Sequence, residues 1–465
     1  MTSPEAPRPG PESDPVAVQA RQRPLAPAVV GREAWTWQAW DRRVGQAAAG
    51  LRALGAPRIA VRAGDRLTLA ALALGAARAG VTAVLVPVRW PASLAHESLR
   101  RAGVTAVVSD LPGLDGTEPE AAFAAKPLAA APDPDALALA VFTSGSTGAP
   151  KAAALSWGAL LASAGGVGAH LGLGAGDRWL LDLPVAHVGG LGIVVRCALA
   201  GAAMAVPEPR QPLAEAVRSL RPTHASLVST QLRRLLASPG DRSSLRAVLL
   251  GGSAIPPDLL SDARASGLPV APSYGLTEMG STVTAADPGA APEAGSSGRP
   301  LAGREVRVRG GEIEVRGATR FAGYLRESGL AEPFDAEGWF ATGDLGRTDA
   351  RGRLFVEGRR GLRFVSGGEN VQPEAIERAL LALPAVREAV VVPIPVAEYG
   401  HRPLAWVRPA AGAVADADAF GAALRESLPG FMVPVRFLPW DGAGGMKPDR
   451  QRLQREAEAW ASDSA

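Results

Sequence analysis

Cysteine is almost missing from this 465-residue chain: Cys197 stands alone, which excludes a disulfide framework and a cysteine-rich metal site. A reducing compartment, the cytoplasm, is the expectation. Lysine is nearly as scarce, with only Lys126, Lys151 and Lys447 among 49 basic residues. A base-composition bias that exchanges lysine for arginine explains the scarcity. It also makes each persisting lysine informative, because a compact ammonium and a planar guanidinium are not interchangeable. Net charge is small, +3, and no basic run carries interleaved aromatics, so no nucleic-acid partner is expected. No apolar run reaches the ~20 residues of a membrane span; Leu191 to Val206 is interrupted by Arg196, and no membrane insertion is expected. The N-terminus, Pro-rich and polar, lacks the apolar core of a signal peptide, and residues 1–24 read as a disordered lead-in.

Apolar residues are plentiful, at 47%. The length exceeds the ~250–300 residues at which single cores stop growing, so at least two domains are expected. From Trp35 to Asp110 helical and strand patterns alternate: a helix over 37–54, a strand over 58–61, a helix over 67–79, and strands over 82–87 and 105–109 around a helix over 93–102. Such alternation predicts a mostly parallel sheet covered by helices, with ligands beyond the carboxyl ends of its strands.

At such an end lies Thr143-Ser-Gly-Ser-Thr-Gly-Ala-Pro-Lys151, after the apolar run 136–142. Gly145 and Gly148 let backbone N–H groups turn inward, Thr143, Ser144, Ser146 and Thr147 add hydroxyls, and Lys151 adds positive charge, a set suited to phosphate. A Walker A loop is excluded, because Pro150 and Ala152 occupy its second glycine and final hydroxyl positions. A flexible Gly/Ser linker would rarely follow a buried strand and close on Pro-Lys.

This stretch resembles the phosphate loop of the adenylate-forming superfamily, which holds acyl-CoA synthetases, luciferases and peptide-synthetase adenylation domains. The resemblance spans about residues 30 to 455. It implies that the turns at Gly251-Gly252-Ser253 and Ser273-Tyr274-Gly275 sandwich adenine, that Thr277 contacts phosphate, and that Glu278 ligates magnesium. An aromatic face suits a purine, and a carboxylate suits a hard cation. It further implies that Asp344 and Arg359 hold the ribose, that Lys447 is the catalytic lysine, and that Ser366-Gly367-Gly368 meets coenzyme A. The hinge position, an Asp or Lys in the superfamily, is Gly361 here, so domain rotation is expected to persist with looser control. His187, with Gly189 in a loop after Pro184, matches a position bordering the carboxylate pocket.

Finer phrases, at 228–236, 274–283, 366–377 and 400–403, are similar to those of o-succinylbenzoate:CoA ligases. They imply that Arg234 lies near the acyl pocket, where a guanidinium could pair with a second carboxylate. Arg233 and Arg234 otherwise read as ordinary solvated arginines.

The expected fold is therefore α/β. A large N-terminal domain (25–359) has layered α/β subdomains plus a small β-barrel-like sheet, segments 303–332 supplying the latter, and a small mobile α/β domain follows (360–465). The expected activity is ATP- and Mg²⁺-dependent activation of a small carboxylate, then transfer to CoA, with o-succinylbenzoate in menaquinone biosynthesis first and another aryl or medium-chain acid as the alternative. A P-loop NTPase is disfavoured by the mismatches above, and an inactive binding module by the presence of Lys447 and Glu278. The assembly is left open to a homodimer.

Overall fold

A computed structural model describes residues 13–112, 114–143, 150–252, 255–290, 295–362, 364–366, 369–396, 400–440 and 448–463. Strands Arg58–Arg62, Thr82–Leu85, Ala106–Ser109 and Leu137–Thr143 pair in parallel. They are short apolar runs because helices cover both faces. The sheet then turns antiparallel through Lys151–Ser156, Gly323–Arg326 and Gly329–Ala331, reaching seven strands. A second sheet of nine strands has a parallel centre that includes Arg178–Leu180, His224–Leu227, Ala247–Leu250 and Val270–Leu276.

Between the sheets runs the Arg66–Ala79 helix, capped by Asp65 and by Gly80 at φ 72°. Its alanines and Gly75 permit close packing against the Trp37–Ala53 helix. A Cβ on Gly75 would sit 2.8 Å from the Ala47 methyl. Among the described residues no helix is long and apolar enough to cross a membrane.

A four-stranded antiparallel sheet follows: Arg304–Arg309, Glu312–Gly317, Phe340–Thr348 and Leu354–Arg359. The expectation that all of 303–332 belongs to it is corrected, since Gly323–Arg326 pairs with Lys151–Ser156 instead. Beyond residue 363, a hairpin of Val386–Val396 and Gly400–Pro409 anchors a five-stranded sheet. Helices Pro373–Leu381 and Ala417–Ser427 cover one face, and Arg450–Asp463 covers the other through Leu453 and Ala457.

The lead-in is corrected in part. Pro15–Gln22 is a helix, capped by Asp14, with Val16 1% exposed in the main core. Arg78, buried, joins it to the globule by pairing with Asp14 at 2.7 Å and with Asp41 at 2.7 Å. Composition favoured disorder, and a long-range ion pair overrides it.

Candidate functional site

The strands on either side of the segment expected to cradle phosphate pair antiparallel, with Thr143 facing Lys151. A Walker A loop would run from strand into helix instead. Thr143 ends its strand and Lys151 begins the next; Ser144, Gly145, Ser146, Thr147 and Gly148 lie outside the described residues, as do Ser253, Gly367, Gly368 and Lys447.

The second wall comes from adjacent strand ends. Ser273 Oγ donates to the Leu250 carbonyl at 2.9 Å, and a Cβ on Gly251 would stand 2.6 Å from Ser273 Oγ, so glycine lets the two ends meet. Gly252 turns at φ 78°. The expected turn at Tyr274-Gly275 is corrected: the strand runs through to Leu276 and pairs with Ser281–Ala285. Gly275 allows this, since a Cβ there would fall 2.1 Å from the Ser281 carbonyl oxygen. The turn is the 3-10 element Thr277–Met279, closed by Gly280 at φ 63°.

That turn sets Glu278 beside Tyr324, whose hydroxyl donates to Oε1 at 2.8 Å. Burial pushes the Glu278 carboxyl above its ordinary range, and the Tyr324 hydrogen bond opposes the shift. The Lys151 Nζ lies 5.2 Å from the centre of the Tyr324 ring. Tyr274 donates its hydroxyl to Asp344 Oδ2 at 2.7 Å. Burial, with the Asp344 charge adding, holds this phenol well above its usual value. Asp344 faces Arg359 on the next strand, with Arg359 Nε 3.6 Å from Oδ1, and Asp344 N–H donates to Thr342 Oγ1 at 3.0 Å. Both Arg359 and Asp344 act electrostatically on Glu278. Lys151, Glu278, Tyr274, Asp344 and Arg359, far apart in sequence, therefore share one neighbourhood.

Tyr324 was missed by the sequence reading. The signal was available, because the chain has only three tyrosines and two of them are here.

His187 ends the loop that was expected, while Gly189 lies within the helix that follows. His187 caps the Val188–Ala200 helix, and Gly189 and Gly190 form its first turn. The glycines serve packing rather than turning: a Cβ on Gly190 would lie 2.3 Å from the Pro184 carbonyl oxygen. His187 is exposed. Arg234 is exposed on the Ser229–Ala237 helix, while its neighbour Arg233 pairs with Asp258 at 2.9 Å. Ser366 is fully buried at a strand end rather than on a loop, and its hydroxyl has no hydrogen-bond partner among the described residues. Gly361 lies exposed in the Arg360–Leu362 turn.

A different guanidinium occupies the interior. Arg196, 1% exposed, leaves Nε and Nη1 without hydrogen-bond partners, and Nη2 reaches Ser281 Oγ at 3.2 Å. Ser281 adopts φ 130°, a strained conformation for a residue with a side chain. Beside Arg196 lies a second buried arginine, Arg304, bonded to the carbonyls of Thr282 at 2.7 Å and Ser163 at 2.9 Å. Burial pushes Arg196 down to about 10 and Arg304 down to about 9, so both stay cationic at neutral pH. No carboxylate among the described residues forms an ion pair with either. The Arg196 guanidinium carbon lies 5.0 Å from the centre of the Trp179 ring, which offsets part of the cost of burying a charge without a counter-ion.

Comparison with known proteins extends these observations. Residues 16–325 match the family of AMP-binding enzymes, and residues 375–442 match the AMP-binding enzyme C-terminal domain. The 2-succinylbenzoate–CoA ligase of Salmonella typhimurium is 40% identical over 447 residues, 93% of this chain and 95% of that protein. Among solved structures, o-succinylbenzoate CoA synthetase from Bacillus subtilis in complex with the acyl-adenylate intermediate OSB-AMP superposes with TM-score 0.85 at 27% identity, over 95% of this chain and 98% of the other. A double mutant of the same enzyme bound to its product analogue OSB-NCoA superposes with TM-score 0.69, at the same 27% identity and with 95% and 98% covered.

Proposed function

We propose, from the premise that this chain belongs to the AMP-binding enzyme family, that it is an AMP-forming acid:CoA ligase whose acid is 2-succinylbenzoate, a step of menaquinone biosynthesis. One observation carries the reading of the site: Tyr324 contacts both Lys151 and Glu278, Asp344 acts electrostatically on Glu278, and Tyr274 bonds to Asp344, so the three charged groups share one neighbourhood. In this reading the triphosphate lies along the 143–151 segment, with Thr143, Lys151 and Thr277 as donors. Tyr274 stacks on adenine between the Gly252 and Gly275 segments, and Asp344 with Arg359 holds the ribose.

The donor set at Glu278 fits magnesium, which takes one or two carboxylates and completes its shell with phosphate oxygens and water. Among the described residues no group of three His, Cys, Asp or Glu side chains forms a dedicated cage. When bound, the ion neutralises phosphate charge as it develops. Burial of Glu278 disfavours its anion until a cation arrives, which couples loading of the site to ionisation.

In the first step the substrate carboxylate oxygen attacks the α-phosphorus, the bond to the bridging oxygen breaks, and pyrophosphate leaves. Lys447 and Lys151 contribute positioned positive charge, and most of the catalysis is orientation and charge stabilisation. In the second step the CoA sulfur, having lost its proton, attacks the acyl carbonyl and AMP departs. Between them the part of the chain from residue 360 onward rotates about Gly361 relative to residues 25–359. The unequal superposition on the two Bacillus subtilis complexes supports two arrangements, and the one described here lies nearer the adenylate complex.

Arg196 takes the role first expected of Arg234. A buried guanidinium with two open donors, backed by Arg304, suits the second carboxylate of a diacid. His187 and Gly189, at the N-terminal end of the helix that carries Arg196, are proposed to border the acyl group. A cytoplasmic location is part of the proposal, in keeping with the buried free thiol of Cys197.

The test is AMP release with ATP and CoA across a panel of acids. Turnover of 2-succinylbenzoate well above any mono-carboxylate is expected, and turnover of mono-carboxylates alone would overturn the diacid assignment.

A further inference from the structure

Glu312 opens its strand at 8% exposure, a carboxylate kept from water, and its two oxygens reach in different directions. Oε1 accepts from the Gly343 N–H at 2.9 Å, one residue before Asp344. Oε2 pairs with Arg360 Nη2 at 2.7 Å. Arg360 and Gly361 share the single 3-10 turn Arg360–Leu362, so rotation at Gly361 unwinds the element that carries Arg360. On the other side, Gln372 Nε2 donates to the Arg359 carbonyl at 2.9 Å, and Arg378 Nη1 donates to that of Glu357 at 2.6 Å. Gly358 makes the Gln372 contact possible, since a Cβ there would stand 2.6 Å from Nε2.

We propose that Glu312 is a positioning residue that ties the Asp344 strand to the hinge, holding the chain in the arrangement described here through Arg360. A glycine hinge has no side chain with which to favour an orientation, and in this protein the neighbouring arginine supplies that preference. The inference rests on the ligase reading and deepens it. Because the arrangement lies nearer the adenylate complex, the ion pair favours the first half-reaction over the second. It also gives the nucleotide site a direct connection to the hinge, since one carboxylate serves both.

The experiment separates the half-reactions in the full-length enzyme. Acid-dependent ATP–pyrophosphate exchange reports the first, and CoA thioester formation from supplied acyl-adenylate reports the second. Arg360→Gln, at an exposed position, is expected to slow exchange about three- to tenfold, leave KM for ATP within about twofold, and leave thioester formation unchanged or faster. Glu312→Ala is expected to slow exchange as much and to raise KM for ATP as well, through the lost hold on Gly343. The double variant Glu312→Ala/Arg360→Gln should be no slower than the worse single, because both substitutions remove the same ion pair. Added salt should slow exchange by the parent enzyme more than by Arg360→Gln, as screening weakens a partly exposed pair. Equal slowing of both half-reactions, additive single effects, or no change in Arg360→Gln would overturn the proposal. Absence of acid-dependent exchange in the parent enzyme would instead overturn the ligase reading.

Discussion

The Tyr324 hydroxyl donates to Glu278 Oε1 at 2.8 Å while its ring lies beneath Lys151 Nζ, 5.2 Å from the centroid. One side chain thus touches both the proposed metal carboxylate and the proposed phosphate lysine. Tyr324→Phe keeps the ring and removes the hydrogen bond that lowers the Glu278 pKa. A hydrogen bond to a charged group contributes about 1.5–3 kcal/mol, so kcat/KM for MgATP is expected to fall about tenfold or more, with the thermal midpoint little changed. Steady-state kinetics over a magnesium series checks this.

The raised pKa of Glu278 sets a pH dependence. A carboxyl whose folded value exceeds its unfolded one contributes stability at low pH, and that contribution is lost as the pH rises through the folded value. Magnesium needs the ionised form, so binding releases a proton and weakens as the pH falls. KM for magnesium is expected to rise from neutrality down toward the ordinary 4.5, and added magnesium should raise the thermal midpoint more at neutral than at acid pH. In Glu278→Gln both dependences should disappear, which titration of the melting curve with magnesium reads directly.

Arg196 sets function against stability. Replacing a buried, half-bonded cation by an apolar group of similar volume is neutral or stabilising by about 1–4 kcal/mol. Arg196→Met is therefore expected to melt no lower than the parent while losing turnover of 2-succinylbenzoate by about a hundredfold or more, as 3 kcal/mol of charged hydrogen bonding requires. Arg234→Ala, on an exposed helical face, should stay within about twofold, since surface substitutions usually do little.

Gly190→Ala tests the packing of the helix that carries Arg196. The added methyl would meet the Pro184 carbonyl oxygen at 2.3 Å, so the helix or the 182–187 segment must shift. Overpacking of this kind costs about 1–3 kcal/mol. A lower thermal midpoint and a raised KM for the acid, with KM for ATP nearly unchanged, are expected from melting and kinetics.

Much of the architecture was readable because period and punctuation agree locally. The Trp37–Ala53 and Arg66–Ala79 helices lie where the alternation predicts them, over 37–54 and 67–79. The failures have particular causes. The Arg450–Asp463 helix was not predicted, its apolar stripe being little more than Leu453, Ala457 and Trp460. Glycines at 189, 190 and 275 read as turn signals, yet they sit in a helix and a strand, where they admit a neighbouring backbone. A glycine's sequence context does not say whether it is needed for its φ or for its missing Cβ.

By itself the sequence determined the chemistry on offer: a hydroxyl- and glycine-rich segment closed by one of three lysines, a carboxylate after Thr277, and an aspartate after Gly343. These are local patterns, and local order suffices to recognise them. Only the tertiary structure decided which side chains meet. Tyr324 reaches Glu278 because Gly323–Arg326 pairs with Lys151–Ser156, and Arg196 rather than Arg234 is buried because the Val188–Ala200 helix lies inside the main core while the Ser229–Ala237 helix packs through Leu232 and Leu235 and leaves Arg234 on its exposed face. Burial and long-range pairing are properties of the packed whole, and no window of sequence contains them.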